Sequence, residues 1–240
     1  MGVPRSDERI GDIQKSFPSL FAMDRLPLMT DLPRGTIPTG EPLVLASGSP
    51  RRADLLRAAG YEFRILPASD AAECGMCSRE TAPELVARYA YRKAADVAPQ
   101  LSEGMILAAD TVAACMGQIL GKPADRSHAE SMLRLLSGRN HDVYTGVCLW
   151  SAATQRCLVE VVRTSLQMET LEEPELERYL DSMRWEGKAG AFGYQDDNDW
   201  IRIVEGGSES NVVGLPMERL AELLEQFGSL AEEIQIDTNL

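Results

Sequence analysis

The sequence predicts an α/β protein in which helices flank a central, twisted mixed sheet. Residues 43–60 run from a short apolar stretch through a small-residue turn into a segment with clear helix-start signals. Residues 105–109 form a second apolar run, typical of a buried interior strand. Residues 143–151 and 157–168 have the pattern of two long strands joined by a short turn, which adds an antiparallel pair to the sheet.

The composition restricts the classes of partner that we expect. The chain has 240 residues, enough for one large domain or a two-lobed one with a sizeable core. Its net charge of −13 disfavours non-specific binding to nucleic acids and anionic membranes, which require extended basic surfaces. The sequence has no apolar run of about 18 residues and no signal-peptide pattern. The five cysteines suggest no disulfide framework, so we expect a cytoplasmic protein. From the charge and the lack of a long apolar run, we expect no direct binding to nucleic acids or membranes.

Composition also divides the chain into three parts. Residues 1–41 carry five prolines and scattered charges without periodicity, which predicts a poorly ordered N-terminal extension. Residues 42–228 contain the periodic segments and form the predicted domain. Residues 229–240 are predicted to be an acidic C-terminal tail.

The first helix of this domain has the features of a phosphate site. Ser49 is a favourable N-cap, Pro50 suits the first helical position, and Gly60 ends the helix. Helix N-termini bind anions, yet Arg51 and Arg52 lie in the first turn, where basic side chains oppose the macrodipole. A phosphate partner would explain both arginines, because their planar forks match phosphate oxygens. An ordinary capped surface helix with two solvated arginines is the alternative.

The next two elements bring a lysine onto an apolar helix face. Residues 61–66 alternate as a strand, and Pro83 opens a helix that extends to about residue 97. The inward stripe of this helix includes Lys93. Because a buried lysine is costly unless it is paired, we expect a cleft or an anion to receive it. The alternative is that Lys93 snorkels to water along its aliphatic stem.

A carboxylate follows the interior strand. That strand is predicted to end in Asp110 and Thr111, and ligand sites of α/β sheets lie at the carboxyl ends of strands. A hairpin turn at residues 116–117 would place Thr111 opposite Lys122, so that Asp110 and Lys122 share one end of the hairpin. A structural salt bridge is the alternative to a functional pair.

The rest of the chain continues the alternation and adds flexible loops. Gly-rich loops and basic residues from both halves predict a cleft between two lobes. In chain order, the remaining elements are a helix between Asp125 and Gly138, the strand pair, an acidic helix at 171–183, a loop with three glycines at 187–195, a strand at 200–204, a flexible loop at 206–214 and a last helix from Pro216.

Short motifs along residues 43–228 resemble the Maf family of nucleoside triphosphate pyrophosphatases. Each motif alone is a weak signal, whereas their common order is highly specific. The matching segments are 47–52, 69–73, Lys93, 109–112, 121–123, 136–139 with His141, 144–147, 188–195 and 211–216.

The resemblance implies a two-lobed Maf/inosine-triphosphatase-like fold, often a homodimer, with a nucleotide cleft between the lobes. It also implies hydrolysis of a nucleoside triphosphate to the monophosphate and pyrophosphate with a divalent metal cation, Mg²⁺ or Mn²⁺. Residues 188–195 are similar to the branch that acts on dTTP and UTP. Such an enzyme would keep non-canonical nucleotides out of nucleic acids.

The resemblance further assigns a role to each matching position. Asp110 is the catalytic base or metal-linked carboxylate, and Glu73 is a second metal or substrate ligand. The positions that contact the substrate are Ser47, Ser49, Arg51, Lys93, Lys122 and Lys188. The positions that set base preference are Arg51, Thr111 and Gln195.

Physical chemistry supports this interpretation independently. Attack on a phosphoryl group meets concentrated negative charge, which cations must offset while a carboxylate takes the proton of the water. The amide-like edge of a pyrimidine matches the donor and acceptor of a glutamine side chain. Two alternatives stay open: a nucleotide-binding regulator of cell division with little catalysis, and the same reaction on a modified purine such as 7-methyl-GTP. Residues 196–199 depart from the family pattern, in which glycines usually follow the residue matching Gln195.

Overall fold

The structure is a computed structural model that describes residues 31–75, 77, 79–196 and 199–237. The predicted N-terminal extension lies outside the described residues up to residue 30, and the predicted acidic tail does so from residue 238. Among the described helices, none combines the length and the apolar character that crossing a membrane requires.

A mixed sheet of seven strands forms the centre of the molecule. The strands are β1 (Leu43–Leu45), β2 (Phe63–Ile65), β3 (Met105–Cys115), β4 (Gln118–Leu120), β5 (Asn140–Ser151), β6 (Cys157–Met168) and β7 (Ile201–Glu205). Their order is β2-β1-β3-β5-β6-β7, with β4 paired to β3. β1 runs parallel to β2 and β3, and the other pairs are antiparallel. The predicted α/β class with a mixed sheet is confirmed.

Helices flank this sheet on both faces. They begin close to the predicted starts: Ser49 occupies the N-cap of the first, and Asp125 Oδ1 accepts a hydrogen bond from the backbone N–H of His128 at 2.8 Å in the third. The helices are α1 (Pro50–Ala58), α2 (Ala82–Val97), α3 (Arg126–Leu136), α4 (Glu173–Asp181), α5 (Glu209–Val213) and α6 (Met217–Asp237).

Two hydrophobic cores lie on the same face of the sheet, one towards each end of β3. Leu107 and Ala109 pack with α1 and α6. Ala113 and Cys115 pack with α3 and α4. Because strand residues alternate between faces, Thr111 points to this same face and falls between the two cores. The cores correspond to the two predicted lobes, and β3 and β5 run through both.

Helix α2 covers the opposite face and approaches β5 closely. Val86 and Ala90 of α2 are completely buried. Gly146 of β5 lies directly beneath the helix, where a Cβ would collide with the carbonyl group of Val86. Glycine at this position therefore lets α2 lie against the strand, and this contact fixes the height of Lys93 above the sheet.

The register of the β3–β4 hairpin is as predicted, but its length is not. Ala113 lies opposite Leu120, which agrees with a turn at residues 116–117. β4 ends at Leu120, so the hairpin ladder stops before it would place Thr111 opposite Lys122. On the other edge of β3, Thr111 pairs with Thr145 of β5. β3 also continues past Asp110 to Cys115, because the strand is hydrogen-bonded to β5 along this whole stretch. Asp110 thus lies in the middle of a strand and not at its end.

Two further segments differ from their predictions. Residues 206–214 are not a loop throughout, since they contain α5, whose N-cap Ser208 accepts a hydrogen bond from the backbone of Asn211. Helix α6 continues through Gly228 to Asp237, so the predicted tail begins inside a helix.

The end of the predicted N-terminal extension contacts the domain. The backbone N–H of Gly35 donates to the hydroxyl of Tyr61 at 2.8 Å, and that of Thr36 donates to Glu225 Oε1 at 2.7 Å. A Cβ at Gly35 would collide with the backbone of Ala221 in α6. This segment is therefore packed, and the packed structure begins before residue 42.

Candidate active site

A cleft of about 560 Å³ opens between the two cores. Its wall is formed by the turn between β1 and α1, the middle of β3, one side of α2, and the loop between α4 and β7. All the site residues predicted from the sequence line this cleft: Ser47, Ser49, Arg51, Glu73, Lys93, Asp110, Thr111, Lys122, Lys188 and Gln195. Their functional roles stay predictions, whereas their common location is a property of the fold.

Lys93 lies between two carboxylates. Its Nζ is 2.6 Å from Asp110 Oδ1 and 2.7 Å from Glu73 Oε1. It also donates to the carbonyl oxygen of Ala109 at 3.3 Å. The Lys93 side chain is only 7% exposed, so the snorkelling alternative is wrong and the expected anion is this pair of carboxylates. Water screens the Lys93–Asp110 contact weakly, because both side chains are largely buried. Loss of the Lys93 ammonium group would leave two negative charges facing each other.

The cations of the cleft keep Glu73 ionised. Burial raises the pKa of Glu73, but the hydrogen bond and charge of Lys93, together with the charges of Lys122 and Arg52, outweigh it. The net pKa is below the ordinary value for a glutamate. Glu73 is therefore a carboxylate at neutral pH.

The turn before α1 presents small polar groups and one arginine to the cleft. The backbone N–H of Ser49 donates to Ser47 Oγ at 3.2 Å, while the Ser49 side chain makes no capping hydrogen bond. Arg51 reaches across the cleft, and its Nη2 donates to the carbonyl oxygen of Gly187 at 2.8 Å. Burial lowers the pKa of Arg51, against the opposing charge of Asp196. Arg51 thus links α1 to the glycine-rich loop.

Arg52 belongs to the site, although the sequence analysis assigned it no separate role. Its Nη1 donates to Ser47 Oγ at 2.9 Å, its Nη2 to Thr111 Oγ1 at 3.1 Å, and its Nε to the carbonyl oxygen of Gly214 at 2.8 Å. Burial lowers the pKa of Arg52, and the charge of Asp110 opposes this effect. Helical periodicity could have predicted that Arg52 is buried, because position 52 shares a helix face with the buried Leu55 and Leu56.

The loop between α4 and β7 carries Lys188 and Gln195. The Lys188 ammonium group donates to both carboxylate oxygens of Asp196. Burial lowers the pKa of Lys188, while the charge and hydrogen bonds of Asp196 raise it. Lys122, from the segment after β4, is exposed and makes no ion pair within the described part of the chain. The two lysines therefore differ: Lys122 presents an unengaged ammonium group, and Lys188 is held by a carboxylate.

The oxygen ligands of the cleft are compatible with a divalent cation that arrives with a phosphate ligand. Within the described residues, no group of three or more histidine, cysteine, aspartate or glutamate side chains could hold a metal ion. Asp110 and Glu73 instead offer two hard oxygen donors on one cleft wall. Mg²⁺ is commonly bound in this way, by one or two carboxylates together with substrate phosphates and water.

Together, the fold and the cleft define an α/β protein with a site for a phosphorylated ligand. Cationic side chains from α1, α2, the β3–β4 hairpin and the glycine-rich loop surround paired carboxylates and a helix N-terminus. The chain belongs to the Maf-like protein family, whose model matches residues 42–227.

Relatives of this chain are named for one activity. It is 66% identical over 215 residues to the dTTP/UTP pyrophosphatase of Rhodopirellula baltica, which covers 88% of this chain and 95% of that protein. It is 44% identical over 188 residues to the dTTP/UTP pyrophosphatase of Pelotomaculum thermopropionicum, covering 78% and 96%. A solved structure of a HAM1 protein from Coxiella burnetii matches with a TM-score of 0.44 and 16% identity, covering 77% of this chain and 98% of that one.

Proposed function

We propose that this protein is a nucleoside triphosphate pyrophosphatase that hydrolyses dTTP and UTP to the monophosphate and pyrophosphate. The observation that carries the proposal is the position of Lys93 between Asp110 and Glu73, inside a cleft lined by further cations. Membership of the Maf-like family and the names of the relatives support the same reaction. Its function would be to remove non-canonical nucleotides before they enter nucleic acids.

In this proposal the triphosphate lies along the cationic wall. Arg51 and Lys122 contact its oxygens, and Ser47 and Ser49 face it from the turn at the N-terminus of α1. Arginine forks and helix N-termini both favour phosphate oxygens. Positive groups fixed in advance lower the barrier because they need no reorganisation when negative charge develops.

Asp110 is the proposed acceptor of the proton from the attacking water. Lys93 engages Asp110 at Oδ1, which fixes the rotation of the carboxylate. The second oxygen, Oδ2, then takes the proton as the water attacks the α-phosphorus and pyrophosphate leaves. Lys93 therefore acts through Asp110 as well as by offsetting the charge of the phosphates.

Asp110 and Glu73 would also hold the divalent cation that we propose, Mg²⁺ or Mn²⁺. When bound, the cation supplies positive charge that offsets the charge of the phosphate groups. The lowered pKa of Glu73 keeps this ligand ionised at neutral pH.

The base preference is proposed to depend on Gln195, Arg51 and Thr111, which line the same cleft. A glutamine amide offers one donor and one acceptor, which a thymine or uracil edge can match. In Gln195→Glu the donor is lost, so we expect the preference for dTTP and UTP over GTP to fall. A preference that survives this substitution would show that Gln195 does not contact the base.

The test of the reaction is a product assay that distinguishes cleavage between the α- and β-phosphates from cleavage between the β- and γ-phosphates. With Mg²⁺ or Mn²⁺, dTTP and UTP should yield pyrophosphate and monophosphate, and not orthophosphate and diphosphate. Asp110→Asn should reduce the rate at least about 100-fold, the scale of losing a general base. The matched control is Asp54→Asn, the same change at an exposed carboxylate on α1 outside the cleft.

Other outcomes would point to the alternatives. Nucleotide binding in a calorimeter without product formation would favour a binding protein over an enzyme. Faster turnover of 7-methyl-GTP than of dTTP would keep the reaction and change the substrate. A rate that survives Asp110→Asn would remove Asp110 from its catalytic role.

The domain boundaries and the oligomeric state belong to the same proposal. We propose that residues 42–228 carry the activity and that the protein forms a homodimer. Light scattering of the purified protein gives its mass in solution, and a monomer at assay concentrations would contradict the second part.

A further inference from the structure

The carboxylate of Asp196 holds the glycine-rich loop from behind the cleft wall. Asp196 follows Gln195 directly, yet it does not itself line the cleft. It accepts hydrogen bonds from the ammonium group of Lys188 through both oxygens, and its Oδ2 also accepts one from the hydroxyl of Tyr179 at 2.7 Å. Its backbone carbonyl accepts a further bond from Arg184 Nη1 at 2.7 Å.

This group of contacts is buried and closely packed. The side chains of Lys188 and Asp196 are 13% and 8% exposed. The Tyr179 hydroxyl accepts from the backbone N–H of Gly193 at 3.2 Å. A Cβ at Gly193 would collide with both Asp196 and Lys188, so this glycine allows the ion pair to lie against the backbone of the loop.

Tyr179 is itself held in place. It lies on α4, is 8% exposed, and packs edge-on against Trp200 with ring centroids 5.3 Å apart. Burial raises the pKa of Tyr179, and the negative charge of Asp196 adds to this effect. Tyr179 therefore remains a hydroxyl donor at neutral pH, and it connects the loop to the core of its lobe.

We propose that Asp196 is a positioning residue that determines where Gln195 lies in the cleft. Arg51 holds the first end of the loop by donating to Gly187, and Tyr179 of α4 holds the second end by donating to Asp196. The ion pair of Lys188 with Asp196 joins the two ends. Gln195 is covalently next to the second attachment. The ammonium group of Lys188, which the family resemblance assigns to the substrate, then serves mainly to hold the loop.

This inference rests on the proposed function, because it concerns recognition of the base. In Asp196→Asn the side chain keeps an oxygen that can accept the hydrogen bond from Tyr179. It loses the negative charge that pairs with the Lys188 ammonium group. Such a loop would lose the ion pair that joins its two ends, and Gln195 would be held less firmly in position. Phosphate binding would not weaken, because Lys188 would become free to contact the phosphates.

The experiment measures binding, so that it does not depend on turnover. A non-hydrolysable dTTP analogue and inorganic tripolyphosphate, which has no base, are titrated by calorimetry into the full chain and into Asp196→Asn. We expect the affinity for the analogue to fall about tenfold, the scale of losing one charged hydrogen bond, while that for tripolyphosphate is unchanged or rises. Asp181→Asn is the matched control, because that carboxylate is 73% exposed on α4 and outside the cleft.

Either of two results would overturn the inference. One is an affinity for the analogue that stays within about twofold of the wild-type value. The other is an equal loss for both ligands, which would mean that Asp196 presents Lys188 to phosphate. If Asp196→Asn does not fold, Tyr179→Phe keeps the ion pair and removes only the hydroxyl, and it should lower the affinity for the analogue in the same direction. A folded Tyr179→Phe with unchanged affinity would also overturn it.

The failure of this inference and that of the proposed function are distinguishable. A wild-type protein that binds the dTTP analogue but forms no pyrophosphate from any nucleotide contradicts the enzyme, and the binding comparison at Asp196 still stands. A wild-type protein that turns over dTTP while Asp196→Asn retains base-dependent binding contradicts only the inference.

Discussion

Replacement of Lys93 by methionine tests the electrostatics at the centre of the cleft. Methionine keeps most of the aliphatic length and removes the ammonium group that lies 2.6 Å from Asp110 and 2.7 Å from Glu73. The variant therefore leaves two carboxylates facing each other without the cation between them. We expect a less stable protein whose stability depends on pH in a new way.

The size of the effect follows from burial. Removing one partner of a buried ion pair costs about 3–5 kcal/mol. The side chain of Asp110 is 13% exposed, but that of Glu73 is 47% exposed, so water screens part of its charge. We therefore expect a loss of about 2–3 kcal/mol, which lowers Tm by about 5–10 °C in a domain of this size.

The pH dependence has a defined sign. In the wild-type protein the pKa of Glu73 is lowered, so its stabilising contribution is present above the ordinary value of 4.5 and is lost as the pH falls through the lowered pKa. Without Lys93, burial and the facing Asp110 favour the protonated carboxyl group instead. Acidification then relieves the repulsion in the variant, and the difference in Tm between the two proteins should narrow from pH 7 towards pH ~4.5.

The assay is thermal unfolding followed by circular dichroism at several pH values. Lys122→Met is the matched control. Lys122 lines the same cleft and is exposed, so its replacement should change stability by less than about 0.5 kcal/mol. A difference in Tm below about 2 °C at neutral pH would refute the magnitude. A difference that stays constant with pH would refute the electrostatic origin.

Further predictions concern the packing around the cleft. His141 is 4% exposed and burial lowers its pKa to about 4 from 6.5, so the unfolded state binds more protons between these values. Stability should fall by about 3 kcal/mol as the pH drops through this range, and urea denaturation of His141→Leu should show a flatter profile. Gly146→Ala places a methyl group against the carbonyl of Val86 and should lower the free energy of unfolding by about 1–3 kcal/mol in urea; an unchanged midpoint would mean that α2 can move away from β5. Arg52→Lys cannot reproduce the three directions in which Arg52 donates, so it should cost about 1.5–3 kcal/mol of stability and raise KM for the nucleotide, whereas wild-type values of both would show that the fork is dispensable.

The apolar pattern predicted most of the fold because the central strands are covered on both faces, while each helix buries a single stripe. The continuous apolar run before Asp110 correctly predicted an interior strand, but its end did not follow from the sequence. Asp110 and Thr111 are polar because they line a cleft, and a polar pair looks like the end of a strand. The pairing of residues 111–114 with β5 and of residues 113–115 with β4 shows that the strand continues.

The site could be predicted as a set of residues but not as a set of contacts. Lys93 on an apolar face predicted an anionic partner, and the sequence did not identify which carboxylates would supply it. Glu73 lies on a 3₁₀ turn, Asp70–Glu73, whose position depends on contacts with α2. The sequence distinguishes Asp196 only by its departure from the family pattern. Its pairing with Lys188 depends on the path of a loop with glycines at 190 and 193, which has no periodicity to analyse.

The two long strands beneath the cleft restrict how the protein can move. Ten consecutive residue pairs join β3 to β5, from Met105 opposite Ser151 to Ala114 opposite Asp142. This ladder passes from one core to the other without a break, so the lobes share a rigid backbone and no single linker separates them. We expect the cleft to open only by a slight twist of the sheet. We also expect that neither half folds when it is expressed alone. Cutting the chain between the halves would expose the sides of both strands and would yield insoluble fragments.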